Sequence, residues 1–242
     1  SDEPGRLWQL KQAAHACLDY AVKYEAPFVS GKDSMFNDFK GFDENNKPLK
    51  VSVPPTLLIS SFGVLEDASK AVSMDAKFAG DLVYVLGTTR NELGASEYLA
   101  SKNFVGNSVP KVDANKAIKL YKALVKLIDS ELVASVQPVG LGGLGVAIAK
   151  KCIAGGLGAN IDLSKVLVEA VERNDFLLFS ESQSRFIVTV APENKEKFEK
   201  ALEGNEFSLV GELTEGNLQL DGLNGERIVD AKVSDLEEAY KK

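Results

Sequence analysis

The sequence predicts an α+β fold, with helices layered on one face of mixed sheets. Three observations lead there. Several segments carry apolar residues at helical spacing. Between them lie short apolar runs rich in β-branched residues, which read as strands. The two kinds of segment are mixed but do not alternate strictly, as a doubly wound parallel sheet would require.

Taken in order, residues 7 to 24 place Leu7, Leu10, Ala14, Cys17, Leu18, Ala21 and Val22 on one stripe of a helix. Pro27 cannot continue it, and Phe28-Val29-Ser30 reads as a short strand running into Gly31. Asp33 to Lys50 is polar, an exposed loop or irregular hairpin. After Pro54-Pro55, the run Thr56 to Leu65 predicts a strand buried on at least one face. Asp67 to Ala79 is a connector, and Leu82 to Leu86 is a strand ending at Gly87. The loop Asn91 to Ser96 leads into a helix, where Ser96 either caps it or meets an anion. A further helix starts at the N-cap Asp113, with Ile118, Tyr121, Leu124, Val125 and Ile128 on one side. Leu132 to Val136 reads as a strand, and a glycine-rich turn from Gly140 opens a small-residue helix to about Ala154. Strands are expected near Ala159–Leu163, Leu177–Ser180, Phe186–Val190 and Phe207–Leu213, with a helix over Glu193–Leu202. A hairpin from Leu218 to Val229 and a helix from Val233 to Tyr240 complete the chain.

A chain of 242 residues with 45% apolar and 26% charged content has material for a sizeable core. Its net charge of -7 disfavours nucleic acid or an anionic membrane as partner. A phosphate ligand is compatible with that charge, because backbone amides, a few cations and Mg²⁺ can hold it. No segment is as long as a membrane span, and no secretory leader is recognisable. The two cysteines, Cys17 and Cys152, lie in apolar helical patterns and fit core packing in a reducing, cytoplasmic setting. The opening Ser1-Asp2-Glu3-Pro4-Gly5 has no initiator Met and reads as a cut from a longer chain.

Two polar clusters are candidates for chemistry. Lys32, Asp33, Ser34 and Asn37 follow a short apolar run; such a set can pair with phosphates and hold Mg²⁺, or can form a solvated turn with local caps. Glu181, Ser182 and Arg185 sit between two predicted strands, either lining a site or forming a structural ion pair. The turn Gly140 to Gly145 can bring amides against phosphate, but it has neither the lysine-serine of a phosphate loop nor a dinucleotide fingerprint. His15, the single histidine, reads as a surface residue of the first helix.

Four stretches together resemble one family: Pro27-Phe28-Val29-Ser30-Gly31-Lys32-Asp33-Ser34-Met35-Phe36-Asn37-Asp38 with Val53 to Ser60; Asp81 to Gly87 with Arg90 to Tyr98; Gly142 to Ala149 running into Ala154 to Gly158; and Leu178-Phe179-Ser180-Glu181-Ser182-Gln183-Ser184-Arg185-Phe186. Their order and content are similar to the second synthase repeat of the phosphoribosylformylglycinamidine synthases. The resemblance implies the aminoimidazole ribonucleotide synthetase-like fold. Residues 1–68 would be the tail of a barrel-forming, dimerisation-type subdomain, and residues 69–242 a larger α/β domain. It implies an ATP-dependent ligase that activates the amide oxygen of formylglycinamide ribonucleotide, with ammonia from a separate glutaminase unit displacing phosphate to give the amidine. It implies ATP or ADP with Mg²⁺ as cofactors of the parent enzyme. Lys32, Ser34, Asn37, Ser182, Gly142 and Gly143 would meet nucleotide or phosphate, and Asp33 and Glu181 the metal.

One departure matters. The family pattern His-Asp-x-Ser-Glu-Gly-Gly-Leu falls on Gln137, Pro138, Val139, Gly140, Leu141, Gly142, Gly143 and Leu144, so a metal-binding Asp is replaced by Pro138. The family's catalytic histidine belongs to the first repeat, so this stretch is expected to be inactive alone. The alternative is a non-catalytic half that scaffolds the assembly. A free-standing relative, such as a thiamine-phosphate kinase, would need acidic metal-ligand clusters that this sequence does not show. Expected partners are the first synthase repeat and the glutaminase unit. Left without that repeat, the run Thr56 to Leu65 would seek a second copy, giving a symmetric dimer.

Overall fold

A computed structural model of the chain describes residues 3–32 and 38–242. It divides into two compact units, Ser1–Val64 and Leu65–Lys242.

In the first unit, helix α1 (Pro4–Lys23) starts on a proline, whose missing N–H costs nothing in a first turn. None of its residues is buried, and Leu7, Trp8, Leu10 and Leu18 stay exposed. Strands β1 (Asp38–Phe42) and β2 (Pro48–Ser52) pair antiparallel in a hairpin with Phe39 opposite Val51. Its turn is closed by Asp43, whose Oδ1 accepts from the amides of Asn45 and Lys47 at 2.9 Å each. Two expectations fail here. Phe28–Ser30 and Thr56–Leu65 are in no strand, and Leu58, Ile59, Phe62 and Val64 are exposed. The apolar pattern is genuine, but a strand exists only with a ladder partner, and the described residues supply none.

The second unit is built on a seven-stranded mixed sheet. In chain order its strands are β3 (Leu82–Leu86), β5 (Ser135–Pro138), β6 (Gly158–Asp162), β8 (Phe186–Val190), β9 (Phe207–Thr214), β10 (Leu218–Asp221) and β11 (Arg227–Ala231). Their spatial order is β11-β10-β6-β9-β3-β8-β5. Only β10 and β6 pair parallel; all other neighbours are antiparallel. A two-residue pair, β4 (Thr89–Arg90) and β7 (Val168–Glu169), lies apart from it. Gly211 makes the β6–β9 pairing possible, since a Cβ there would lie 1.9 Å from the Asn160 carbonyl oxygen.

Helices cover both faces of this sheet, not one. Leu144, Ile148 and Cys152 of α4 (Gly143–Gly155) and Leu177 of α5 (Asn174–Phe179) pack with Val83, Val85, Ile187 and Val210. Leu120, Leu124 and Leu127 of α3 (Ala114–Asp129), with Phe198 of α6 (Lys195–Ala201), pack against Tyr84, Leu86, Val188 and Val190. The reason is legible in β3 and β8, which are apolar at nearly every position and therefore need cover on both sides. Helix α7 (Val233–Tyr240) packs Val233 and Leu236 on the first of these cores.

Most expected boundaries agree to within a few residues, and Asp113 caps α3 by accepting from the amides of Asn115 and Lys116. The exception is Leu177–Ser180, expected as a strand and found largely in α5. A four-residue apolar run does not distinguish the two states; Asp175 in the first turn and the packing of Leu177 and Leu178 decide for helix. Among the described residues no helix is long and apolar enough to cross a membrane. Cys152 is buried and Cys17 half-buried, both as free thiols, and His15 is exposed.

Candidate functional site

The chain leaving β3, the glycine turn before α4 and the link from α5 to β8 meet in one polar knot. Its centre is Arg185, 1% exposed. The guanidinium donates from Nε to the Ser182 carbonyl at 2.9 Å, from Nη1 to Thr89 Oγ1 at 2.8 Å and from Nη2 to the Ser180 carbonyl at 2.6 Å. The planar fork thus folds residues 180–185 around itself, a geometry lysine cannot reproduce. Burial lowers its pKa to about 10, with Glu92 raising it, the neighbouring Arg90 lowering it and Glu181 raising it, so it remains a cation at neutral pH.

Glu181 and Ser182 take their places on this loop. Glu181 Oε1 accepts from the Gly142 amide at 2.9 Å and from the Glu97 amide at 3.0 Å. It ties the glycine turn to the first turn of α2 (Glu97–Ser101), whose cap is Ser96. Ser182 Oγ accepts from the Arg90 amide at 2.9 Å and donates to the Arg90 carbonyl at 3.3 Å. Gly142 and Gly143 have φ of 82° and 71°, left-handed conformations that favour glycine. A Cβ on Gly143 would lie 2.6 Å from the Ser180 carbonyl oxygen, so the turn and the loop fit only without one.

Of the residues singled out in the sequence, Gly142, Gly143, Glu181 and Ser182 are therefore brought together. Lys32 is exposed and belongs to the first unit, while Asp33, Ser34 and Asn37 lie outside the described residues. The alternatives for Glu181 and Arg185 also resolve: Arg185 is held by carbonyls and a hydroxyl, not by a hydrogen-bonded pair with Glu181. Pro138 is exposed at the end of β5, opposite Phe186. Among the described residues no group of three or more His, Cys, Asp or Glu is placed to hold a metal. Glu181 Oε1 is already occupied by two amides, so these residues alone do not complete a divalent-cation site.

Four participants escaped sequence reasoning. Thr89 looks like an ordinary strand-end hydroxyl, and Ser180 like an ordinary backbone carbonyl, until Arg185 reaches them. Glu92 is buried and accepts from the Lys111 amide at 3.0 Å, which needs a contact between loops nineteen residues apart. The fourth, Lys151, did leave a signal, because it falls on the apolar stripe of α4 that runs through Leu144 and Ile148. It is 1% exposed and donates from Nζ to the Met74 carbonyl at 2.9 Å and to Ser135 Oγ.

The family of AIR synthase related proteins, C-terminal domain, matches residues 79–221. Over 99% of its length the chain is 32% identical to phosphoribosylformylglycinamidine synthase subunit PurL of Alkaliphilus metalliredigens (strain QYMF), covering 31% of that protein. Over 97% it is 33% identical to the same subunit of Caldanaerobacter subterraneus subsp. tengcongensis, covering 30% of it. The chain thus spans about a third of the length of the curated relatives it matches. Among solved structures, T. maritima PurL complexed with FGAR aligns with a TM-score of 0.66 at 21% identity, over 90% of this chain and 36% of that one. The ATP complex of the same protein aligns at 0.56 and 22% identity, over 70% of this chain and 28% of that one. These likenesses show the α+β, AIR synthase-like fold. With more than half of its residues inside the match, the chain belongs to the AIR synthase related family, of which it carries the C-terminal domain.

Proposed function

We propose that this chain is the closing part of the second synthase repeat of a phosphoribosylformylglycinamidine synthase. Residues 1–68 are read as the tail of its barrel-forming subdomain and 69–242 as its α/β domain. The parent reaction uses ATP to activate formylglycinamide ribonucleotide, and glutamine-derived ammonia then gives the amidine. The observation that carries the reading is the alignment of nearly the whole chain with PurL at 32% identity. In this reading the first repeat and a glutaminase unit are the partners, the setting is cytoplasmic, and the 242 residues alone do not turn over substrate.

For the nucleotide, the knot offers a rigid wall rather than a reacting group. Glu181 holds the buried turn of Gly142 and Gly143 through the Gly142 amide, and in the first unit Lys32, Ser34 and Asn37 are read separately as residues that bring charge and polar groups to phosphates. T. maritima PurL has been solved with ATP and with ADP, which supports a nucleotide as the ligand class. Mg²⁺ is read as a cofactor of the parent enzyme, with Asp33 and Glu181 each a candidate carboxylate within its own unit. The test is phosphate release from ATP with formylglycinamide ribonucleotide and ammonia. We expect none from the chain alone and ligand-dependent release once it is mixed with the preceding two-thirds of a PurL relative. Release by the chain alone, or none from the mixture despite a stable complex, would refute the proposal. Calorimetry with ADP should show saturable binding, about tenfold weaker for the doubly substituted K32A/S34A chain; no heat would leave only a scaffold.

A homodimer is the remaining part of the proposal. Support comes from the first unit, where Leu7, Trp8, Leu57, Leu58, Ile59 and Phe62 are all exposed, more apolar surface than a solitary unit usually keeps. Light scattering is expected to give twice the 26.1 kDa chain mass. A monomer mass at high concentration would contradict it.

A further inference from the structure

Two cavities of the second unit share a charged wall that carries two cations, Arg90 and Lys111. The smaller, about 260 Å³, is bounded by Gly87, Thr88, Ser184 and the first turns of α3. The larger, about 780 Å³, is bounded by Asn91, Glu92, Ser108 and Glu169. Arg90, Lys111 and Asp113 line both. None of Lys32, Gly142, Gly143, Glu181 or Ser182 lines either.

In a chain of net charge -7, the smaller cavity sets Arg90, Lys111, Lys116 and Lys119 against only Asp113 and Glu206. Both carboxylates are already engaged. Asp113 caps α3, and Glu206 accepts from Lys116 Nζ at 2.6 Å and from Thr88 Oγ1 at 2.9 Å. Lys119 Nζ donates to the Gly204 carbonyl. Two cationic ends remain. Arg90 uses Nε on Glu169 at 2.9 Å, while its terminal nitrogens have no hydrogen-bond partner among the described residues. The same is true of Lys111 Nζ. Beside them Glu92 is 6% exposed, and its Oε2 has no hydrogen-bond partner. A buried carboxylate oxygen left unpaired is costly, and a donor brought into the larger cavity would relieve it.

We propose that this cleft binds a small phosphate monoester that also carries a hydroxyl or amine. The phosphate sits on Arg90 and Lys111, and the donor is received by Glu92. A guanidinium fork beside an ammonium favours a phosphate dianion. Among the described residues no group of three or more His, Cys, Asp or Glu is placed to hold a metal there, and two uncommitted cations are too few for a nucleic-acid backbone. The site is independent of the nucleotide reading, because it uses none of those residues.

The test is calorimetry of the full chain with inorganic phosphate and with glycerol 3-phosphate. We expect one saturable site that prefers glycerol 3-phosphate. The doubly substituted R90Q/K111Q chain should bind both ligands at least about tenfold more weakly. Glu92→Gln should reduce the preference for glycerol 3-phosphate while retaining phosphate binding. Should the double variant fold poorly, Lys111→Gln, at an exposed position, is expected to weaken both ligands by about fivefold. Absence of saturable heat, unchanged phosphate affinity in the variants, or no preference for glycerol 3-phosphate in the native chain would overturn the proposal.

Discussion

Arg185→Met is expected to lower the unfolding free energy by about 3–5 kcal/mol, a large share of what a domain of this size possesses. The substitution removes three hydrogen bonds and leaves the Ser180 and Ser182 carbonyls and the Thr89 hydroxyl to be satisfied some other way. Each buried group left without a partner costs about 1–3 kcal/mol, and methionine fills the volume without replacing any of them. Arg185→Lys keeps the charge but presents one ammonium in place of a planar fork, so a loss of about 2 kcal/mol is expected. Urea unfolding with an unchanged m-value measures both. A loss under about 1 kcal/mol for the methionine variant would show that the loop does not depend on the guanidinium. In the same variant, hydrogen exchange at the Gly142 and Glu97 amides should accelerate, because Glu181, their acceptor, sits on the loop that Arg185 closes.

Stability of the native chain should rise between pH 8 and 10 relative to Lys151→Met. Burial lowers the pKa of Lys151 from 10.5 to about 8, against raising contributions from Cys152, Asp75 and Asp81, while Lys77 adds to the lowering. In the unfolded chain a lysine keeps its proton until pH approaches 10.5. Between the two values the unfolded state binds more protons than the folded one, so unfolding becomes harder as pH increases. Below pH 8 both states are protonated and the burial penalty is fully present. The interval from 8 to 10.5 corresponds to about 3 kcal/mol. Cys152 acts in the opposite direction, since burial raises its thiol to about 11, but it is common to both proteins. Urea unfolding of each protein across this range gives the difference directly. Parallel pH profiles would mean that Lys151 is solvated. At pH 7 the variant exchanges the relief of a buried charge for two lost hydrogen bonds, to Met74 and Ser135, so its net change is expected to stay within about 2 kcal/mol.

The amino-acid sequence by itself determined the elements of the second unit. β3, β8 and α7 lie where local pattern puts them, Asp113 is the cap its position announces, and Gly142 with Gly143 mark a turn that no β-carbon could enter. These are local consequences of periodicity, capping and backbone sterics, and neighbouring residues suffice to express them. Only the tertiary structure decided the rest. It turned Leu177–Phe179 into helix, because packing outweighs propensity in a short apolar run. It put helices on both faces of the sheet and left Thr56–Leu65 without a ladder partner among the described residues, because a strand depends on whatever lies beside it. The same holds for the site: Arg185 could be named from the sequence, but its partner Thr89 and the burial of Glu92 arise where segments distant in sequence meet. Hydrogen bonds over such separations leave no periodic trace in a chain and form only once it is folded.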